Sequence, residues 1–472
     1  MTSSYRGLGD LFAHWYGEFF ATTRTHAHLE ATSRDGILVT AAEELAAALR
    51  EGSVDPAAPD NFAHQLPVPS KAALLGLLMG AMYQQNQASR ESSPVTSRLE
   101  DEVIRSYAAM LGLGDDAWGY FCSGGTSASL HALWTLTGRA AEPAVDLICS
   151  HTTHISFDRI GEVLKAVRLH RVECDAHDRA DTDAVARAVA RSREHGRLPI
   201  VVATCGTTGA GQIDPVADLV ELRRTEPFLL HADAAWGGFL SALTPTPLLG
   251  RHRRDVAALA HVDSIAVDPH KMASMPVGCG VVLFRDPALK ALVRRGSPYV
   301  FAEEAGPHHG QFSLTMSRNG MFAAAHWLQN QVSPLTADGV GADVARILAA
   351  TRVLADEMER AGFRVLFEPA VGIVVCVAPR GTFRATSEVT RRVGADCLRH
   401  DRRPAGDLPV LSTYRVTTEA VLDRVERQTG LLRDGAELLA FRLVIASPPL
   451  PGFRTHATSA ARALARHCAA TS

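Results

Sequence analysis

Between about residues 70 and 320, short apolar runs of strand length alternate with longer amphipathic stretches of helix length. The apolar runs are residues 144–149, 200–204, 228–232, 264–267 and 280–284. Strands and helices alternating at this spacing are typical of a mainly parallel sheet with helices on both faces. An open sheet of that kind binds its ligand beyond the carboxyl ends of the strands. The sequence therefore predicts an α/β protein whose functional residues follow its strands.

The segments on either side of this alternating region have different patterns. Residues 1–65 are predicted to be an N-terminal helical segment, and residues 66–330 are predicted to be the large α/β domain. Beyond them, long helical patterns alternate with a few short strands. This pattern predicts a small C-terminal α+β domain over residues 331–472.

Composition and charge exclude several other classes of protein. The 472 residues include 48 basic and 51 acidic side chains, with a formal net charge of -3. A general nucleic-acid or anionic-membrane binder would carry a basic excess, and no apolar run reaches the roughly 18 residues of a membrane span. Residues 1–20 mix charged with apolar side chains, unlike a signal peptide. The eight cysteines form no Cys-x-x-Cys pair, which favours a reducing cytoplasm over a disulfide framework or zinc ribbon.

Residues 119–134 carry the first chemical signature. A short strand runs into Gly124 and Gly125, and a helix is predicted to open at Thr126. Glycines at the turn, hydroxyls in the first helical turn and free backbone N–H groups make an anion cradle suited to phosphate. A tight strand-to-helix turn with a hydroxyl cap is the alternative interpretation. The segment has neither the P-loop nor the dinucleotide-binding glycine pattern.

Two further segments place an aspartate and a lysine after apolar strands. Asp233 ends one strand, where it could be a capped turn residue or the partner of a cationic ring nitrogen. Lys271 follows another strand and an Asp-Pro turn, and it is one of four lysines among the 48 basic residues. Taken alone, Lys271 is more simply a solvated side chain. Together, however, an anion site, a ring-nitrogen partner and an amine nucleophile are what pyridoxal 5′-phosphate (PLP) requires.

The motifs around these residues resemble a known family. They are Ser123-Gly-Gly-Thr126, Gly206-Thr-Thr-Gly209, His231-Ala-Asp-Ala-Ala235 and Asp268-Pro-His-Lys271, in the order and spacing of the group II PLP-dependent amino-acid decarboxylases. Within that family the chain is most similar to bacterial tyrosine and aromatic-L-amino-acid decarboxylases, through residues 91–94, 153–156, 267–272 and 299–301. The resemblance implies a fold-type I enzyme with a large, mainly parallel, seven-stranded sheet domain flanked by helices. It also implies a homodimer with a shared active site, in which the N-terminal helices clasp the partner.

The resemblance implies a role for each site residue. Lys271 would form a Schiff base with PLP, and Asp233 would hold the pyridinium nitrogen. His154 would stack on one face of the ring, which Ala235 would support from the other face. The remaining cofactor-binding residues would be Gly125, Thr126, Ser127 and His270 around the phosphate, and Thr208 near the ring. No metal is expected.

The implied reaction is the decarboxylation of an L-amino acid to an amine and carbon dioxide. In this family a tyrosine on a mobile loop, reaching into the partner subunit's site, usually returns the proton to Cα. Tyr299 is the candidate here, and an ordinary half-buried aromatic is its alternative interpretation. Because replacement of that donor can divert the reaction to oxygen, oxidative deamination to an aldehyde is a second expected outcome.

The residues near the expected substrate pocket favour an aromatic, tyrosine-like amino acid. Met275, Val277 and Phe301 are expected to line its substrate side, together with part of residues 85–95. Two tyrosines that tyrosine decarboxylases carry after the lysine motif are absent from residues 271–277. Arg318 could bind a carboxylate of the substrate or of the partner chain, or it could form a structural salt bridge.

Other classes of protein remain as alternatives. A PLP aminotransferase or carbon–carbon lyase acting on a biosynthetic intermediate would use Asp233 and Lys271 in the same way. A binding protein with a degenerate site would have lost one of these two residues, and both are present. A metal hydrolase built on His308 and His309 lacks a carboxylate at ligand spacing.

Overall fold

The computed structural model describes residues 7–22, 35–140, 144–165, 167–298, 300–301, 308–398 and 408–471. The N-terminal part contains helices α1 (Leu8–Thr22) and α2 (Asp35–Gly52), followed by the two-residue strand β1 (Asn61–Phe62). Helix α2 packs few of its apolar side chains, since Ile37, Leu38, Leu45 and Leu49 are all exposed. No helix within the described ranges is both long and apolar enough to cross a bilayer.

A seven-stranded sheet, here called the large sheet, forms the centre of the chain. The elements of this region, in chain order, are α3 (Lys71–Met82), α4 (Pro94–Leu111), β2 (Trp118–Cys122), α5 (Gly125–Thr137), β3 (Val145–Ser150), α6 (Ser156–Val163), β4 (Val167–Val172), α7 (Thr182–Glu194), β5 (Leu198–Thr204), α8 (Val216–Leu222), β6 (Leu229–Asp233), α9 (Arg253–Ala257), β7 (Ser264–Val267), β8 (Gly280–Phe284), α10 (Lys290–Val293) and α11 (Met321–Val332). The strands of the large sheet run in the order β2-β8-β7-β6-β5-β3-β4, and β8 is antiparallel to both of its neighbours while the other pairs are parallel. The predicted α/β fold with a mainly parallel sheet is thus confirmed.

Both faces of the large sheet are buried at β2, β3, β5, β6, β7 and β8, which explains why these six strands are mainly apolar. The edge strand β4 is only partly buried and carries three basic side chains. Strand β5 illustrates this arrangement, because its side chains alternate between two separate hydrophobic clusters. Ile200 and Val202 belong to the cluster on one face, and Val201 and Ala203 belong to the cluster on the other. Polar residues are therefore concentrated where the strands end, which is where a ligand site can form.

A second, five-stranded sheet, here called the small sheet, lies in the C-terminal part. The elements of this part, in chain order, are α12 (Val340–Arg360), β9 (Arg364–Val365), β10 (Ile373–Val377), α13 (Phe383–Cys397), β11 (Val410–Val416), α14 (Glu419–Thr429), β12 (Leu438–Val444) and α15 (Phe453–Ala470). The strand order of the small sheet is β1-β11-β12-β10-β9. Strand β1 pairs in parallel with β11, so the N-terminal segment contributes a strand that the sequence did not predict. Helix α11 spans the proposed boundary at residue 330 and packs on α3 and α4.

Candidate active site

A cavity of about 530 Å³ opens at the carboxyl ends of β2, β3, β5, β6 and β7. It brings together the nine residues that sequence reasoning assigned to the cofactor. These are Gly125, Thr126, Ser127, His154, Thr208, Asp233, Ala235, His270 and Lys271. The cavity also contains Gly124 of the predicted anion cradle and Val277, which was expected on the substrate side. The other lining residues received no role from the sequence, namely Ser123, Leu130, Ser156, Thr204, Gly206, Trp236 and Asp268.

The turn from β2 into α5 forms one wall of this cavity. The first bond of the helical ladder runs from the N–H of Ala128 to the carbonyl of Gly124, at 2.9 Å. The N–H groups of the three preceding residues lie before that bond and are available to an anion. A side chain at Gly125 would place Cβ 2.8 Å from Asp268 Oδ2 and 3.1 Å from Ala235 Cβ. Only a residue without a side chain therefore lets the helix start this close to the opposite wall.

Lys271 lies on the opposite wall and is paired with Asp268. The distance from Lys271 Nζ to Asp268 Oδ2 is 3.0 Å. Asp268 is buried, and its Oδ1 has no hydrogen-bond partner among the described residues. His270 Nδ1 lies 2.6 Å from the carbonyl oxygen of Cys279, to which it must donate because a carbonyl only accepts. Asp268 thus orients the lysine amine, although sequence reasoning quoted it only as part of a motif.

Asp233 presents a carboxylate at the end of β6. Its Oδ1 accepts a hydrogen bond from the N–H of Ala235 at 3.2 Å, and its Oδ2 has no partner within the described ranges. The side chain is 8% exposed and has no cation within ion-pair distance in those ranges. A buried carboxylate of this kind favours a cationic partner from a ligand.

His154 and Thr208 complete the walls around Asp233. His154 is half-buried, and its Nδ1 accepts a hydrogen bond from the backbone N–H of Ser156 at 3.2 Å. This contact assigns the ring proton of the neutral histidine to Nε2. Thr208 is exposed at the cavity surface, and its backbone carbonyl accepts a hydrogen bond from Arg442 at 2.9 Å.

Two residues that were expected on the substrate side of the pocket, Met275 and Phe301, do not line this cavity. Met275 is 1% exposed and packs in the hydrophobic core, so its assignment to the pocket was wrong. Val277 lines the cavity, whereas Phe301 lines a separate cleft of about 810 Å³ with Asn86 and residues around it. Tyr299 lies outside the described residues. Arg318 forms an ion pair with the buried Glu100, at 2.7 Å.

The two histidines of the metal-hydrolase alternative, His308 and His309, both hydrogen-bond to other residues of the protein. His309 Nε2 lies 2.9 Å from Asp101 Oδ1, and Asp101 is also bound by Arg90. His308 Nδ1 accepts a hydrogen bond from the N–H of Arg90 at 3.0 Å. In the described part of the chain, no three histidine, cysteine or carboxylate side chains are grouped to hold a metal ion.

The cavity residues fit PLP on three separate observations. The glycine cradle and free N–H groups can hold its phosphate, the free oxygen of Asp233 can hold its ring nitrogen, and the Lys271 amine can hold its aldehyde carbon. A seven-stranded sheet with this site at its strand ends defines the class of fold-type I PLP enzymes.

Comparison with known proteins identifies the family. Residues 33–378 match the pyridoxal-dependent decarboxylase conserved domain. A probable L-aspartate decarboxylase of Halobacterium salinarum is 30% identical over 317 residues, covering 66% of this chain and 83% of the relative. An L-2,4-diaminobutyrate decarboxylase of Rhizobium meliloti is 30% identical over 322 residues, covering 66% of this chain and 63% of the relative.

Solved structures show the same fold. Oryza sativa TDC with PLP and tryptamine matches with a TM-score of 0.76 and 16% identity, covering 99% of both chains. Mouse CSAD matches with a TM-score of 0.74 and 20% identity, covering 96% of this chain and 91% of that one. The chain belongs to the pyridoxal-dependent decarboxylase family. It is a PLP-dependent carboxy-lyase that acts on an amino acid.

Proposed function

We propose that this enzyme decarboxylates an aromatic, tyrosine-like L-amino acid to the corresponding amine. PLP supplies an electron sink for the pair released when the Cα–carboxylate bond breaks. The observation that carries the proposal is the juxtaposition of Lys271, the free oxygen of Asp233 and the glycine cradle in one cavity.

The cavity residues divide the work of binding and orientation. Lys271 holds the cofactor by its amine, and Asp268 orients that amine. Asp233 would keep the ring nitrogen of bound PLP protonated, since an adjacent negative charge favours the cationic form. His154 would cover one face of the ring and Ala235 the other, while Gly125, Thr126, Ser127 and His270 would bind the phosphate. Thr208 would lie near the ring. All of these residues line the cavity.

The lining of the cavity supports an apolar side chain on the substrate. Leu130 and Val277 line it, and none of the described lining residues is an arginine. Its basic side chains are Lys271, His154 and His270, and each of them already has a role with the cofactor. A second carboxylate on the substrate would therefore find no spare basic side chain among the described lining residues.

L-Aspartate is the second candidate substrate. It is favoured by the names of the relatives, which include a probable L-tyrosine/L-aspartate decarboxylase of Methanothermobacter thermautotrophicus, 30% identical over 283 residues. An aspartate decarboxylase would need a cation from outside the described lining.

We further propose that Tyr299, on a loop of the partner subunit, returns the proton to Cα. This requires a homodimer, which we place in the cytoplasm. The exposed apolar side chains of α2 support the dimer, because an apolar helix face of this kind usually packs against a partner. Loss of that proton delivery would favour reaction with oxygen and an aldehyde product. Light scattering of the purified protein tests the dimer, and a monomer would contradict it.

A mass-spectrometric product screen tests the substrate and the outcome together. PLP-loaded protein is incubated with L-tyrosine, L-phenylalanine, L-tryptophan, L-aspartate and L-2,4-diaminobutyrate, in air and under argon. An aromatic amine in both atmospheres supports the proposal. Faster turnover of L-aspartate would overturn the aromatic preference, and a carbonyl product formed only in air would establish oxidative deamination.

Lys271→Ala tests the assignment of roles, with Lys165→Ala as the matched control at an exposed position in the turn after α6. We expect Lys271→Ala to lose the visible absorption of lysine-bound PLP and all turnover. Lys165→Ala should retain both. Retention of the absorption by Lys271→Ala would refute the role of this lysine.

A further inference from the structure

The turn that carries Thr208 is hydrogen-bonded to the small sheet. This turn joins β5 to the residues before α8 and contains Gly206 at a φ of 93° and Gly211 at a φ of 69°. Within the turn, the N–H of Gly211 donates to the carbonyl of Thr207 at 2.8 Å. One side of Thr208 faces the cavity, and its carbonyl faces β12.

Arg442 of β12 provides the first contact with this turn. Its Nε donates to the carbonyl of Thr208 at 2.9 Å and to that of Gly209 at 3.1 Å. Its Nη1 donates to Ser412 Oγ at 3.0 Å and to the carbonyl of Ala63 at 3.4 Å. The side chain is only 8% exposed, and no carboxylate lies within ion-pair distance of it in the described ranges.

A buried guanidinium without a carboxylate is unusual, because burial penalises its charge. The same burial lowers the pKa of Arg442 to about 10. Its charge is balanced here by backbone and hydroxyl oxygens, and two of these carbonyls belong to the turn. The hydrogen bonds of Arg442 Nε therefore fix the backbone at Thr208 and Gly209.

Tyr414 of β11 provides the second contact. A Cβ built on Gly209 would lie 2.2 Å from Tyr414 Cε2, so the ring lies directly against this glycine. The Tyr414 hydroxyl donates to Asp178 Oδ2 at 2.7 Å, and Asp178 also accepts from Thr418 at 2.9 Å. Asp178 is 1% exposed and precedes α7 in the large-sheet region. The Tyr414 ring is thus held against Gly209 by the hydrogen bond of its hydroxyl to Asp178.

We propose that Arg442 and Tyr414 are positioning residues for cofactor binding, which keep the Thr208–Gly209 turn against the PLP ring. This inference rests on the proposed function, because it assumes that Thr208 lies beside the cofactor. It gives the small sheet a direct part in the site, through a backbone contact rather than through a side chain that touches PLP.

The test compares PLP binding by the apoenzymes of Arg442→Met, Arg442→Lys and Tyr414→Phe. Arg415→Met is the matched control, because Arg415 lies beside Tyr414 on β11 but forms an exposed ion pair with Glu437. Dissociation constants and visible spectra are recorded by titration with PLP, and circular dichroism checks the fold. KM and kcat are measured with the substrate that the product screen finds.

We expect Arg442→Met to weaken PLP binding about tenfold or more, since hydrogen bonds from a charged donor are strong. Its visible absorption band should shift, and kcat should fall more than KM rises. Arg442→Lys keeps a charged donor and should recover part of the affinity. Tyr414→Phe keeps the ring on Gly209 and should weaken binding by only about threefold, the worth of one hydrogen bond. If Arg442→Met does not fold, Arg442→Lys and Tyr414→Phe carry the test by the same readouts.

Two outcomes would overturn the inference in distinguishable ways. If wild-type protein lacks a PLP absorption that depends on Lys271, the proposed function fails and this inference fails with it. If the wild type binds PLP normally, but folded Arg442 variants match Arg415→Met in affinity and spectrum, only the positioning role is refuted.

Discussion

The buried ion pair of Glu100 and Arg318 offers a sharp test of how the site is supported. Glu100 lies on α4 and is fully buried, and the Arg318 side chain is 10% exposed. Arg318 Nη1 donates to Glu100 Oε1 at 2.7 Å and to the carbonyl of Phe121 at 3.0 Å. The N–H of Phe121 donates to the same Glu100 oxygen at 2.7 Å. The pair therefore fixes β2 just before the glycine cradle.

Removing the arginine should lower the free energy of unfolding, because it leaves the buried charge of Glu100 without its ion-pair partner. Arg318→Met leaves the Glu100 carboxylate with one backbone donor, which is expected to cost about 3–5 kcal/mol of unfolding free energy. Glu100→Gln should also destabilise the protein, since it leaves the buried guanidinium without its carboxylate partner. The double variant leaves neither charge unpaired, so its loss of unfolding free energy should be smaller than the sum of the two single losses by about 2 kcal/mol.

The pH dependence of this contribution has a definite sign. Burial acts to raise the pKa of Glu100, but the charge and hydrogen bond of Arg318, the nearby His309 and the N–H of Phe121 together outweigh it and hold the pKa below its usual value of 4.5. A carboxyl whose pKa is lower in the folded state stabilises the fold above its unfolded pKa. The contribution is therefore present above about pH 4.5 and is lost as the pH falls through the folded value.

Urea unfolding followed by tryptophan fluorescence measures all four members of the cycle at pH 7. Arg415→Met is the control for the same substitution at an exposed ion pair, and it should cost no more than about 1 kcal/mol. If Arg318→Met costs no more than this control, the buried pair does not support the fold. Strict additivity in the double variant would refute the coupling between the two side chains.

Three further predictions concern the cradle, the core and the cofactor. Gly125→Ala places Cβ 2.8 Å from Asp268 Oδ2 and should weaken PLP binding about tenfold; unchanged affinity in a PLP titration would contradict this. Tyr107→Phe removes a buried 2.7 Å hydrogen bond to His326 Nε2 and should cost about 1–3 kcal/mol in urea unfolding, whereas no loss would show that the bond is dispensable. Withdrawal of PLP from a hundredfold excess over its dissociation constant should lower stability by about 2.7 kcal/mol, and equal stability of both forms would contradict binding to the folded state.

The parts of the site that could be predicted from the sequence are those encoded locally. Asp233 and Lys271 each follow an apolar run, and parallel strands bring such residues to one edge of the sheet. The prediction for Met275 was wrong because this residue lies in the irregular segment between β7 and β8, where no period of two or 3.6 residues indicates which way a side chain points. Asp268 was overlooked because a strand-end aspartate before proline also suits an ordinary turn.

The contacts between the small sheet and the turn at Thr208 show why the other parts of the site could not be predicted from the sequence. Short runs of apolar and β-branched residues identify β11 and β12 as strands, but they do not say which distant backbone the strands meet. Arg442 nevertheless leaves a signal, because a charged residue inside an apolar strand must find partners when it is buried. Here those partners are carbonyls of residues 208 and 209, more than two hundred positions away along the chain. Carbonyl groups are common to all residues, so only the folded chain can identify them.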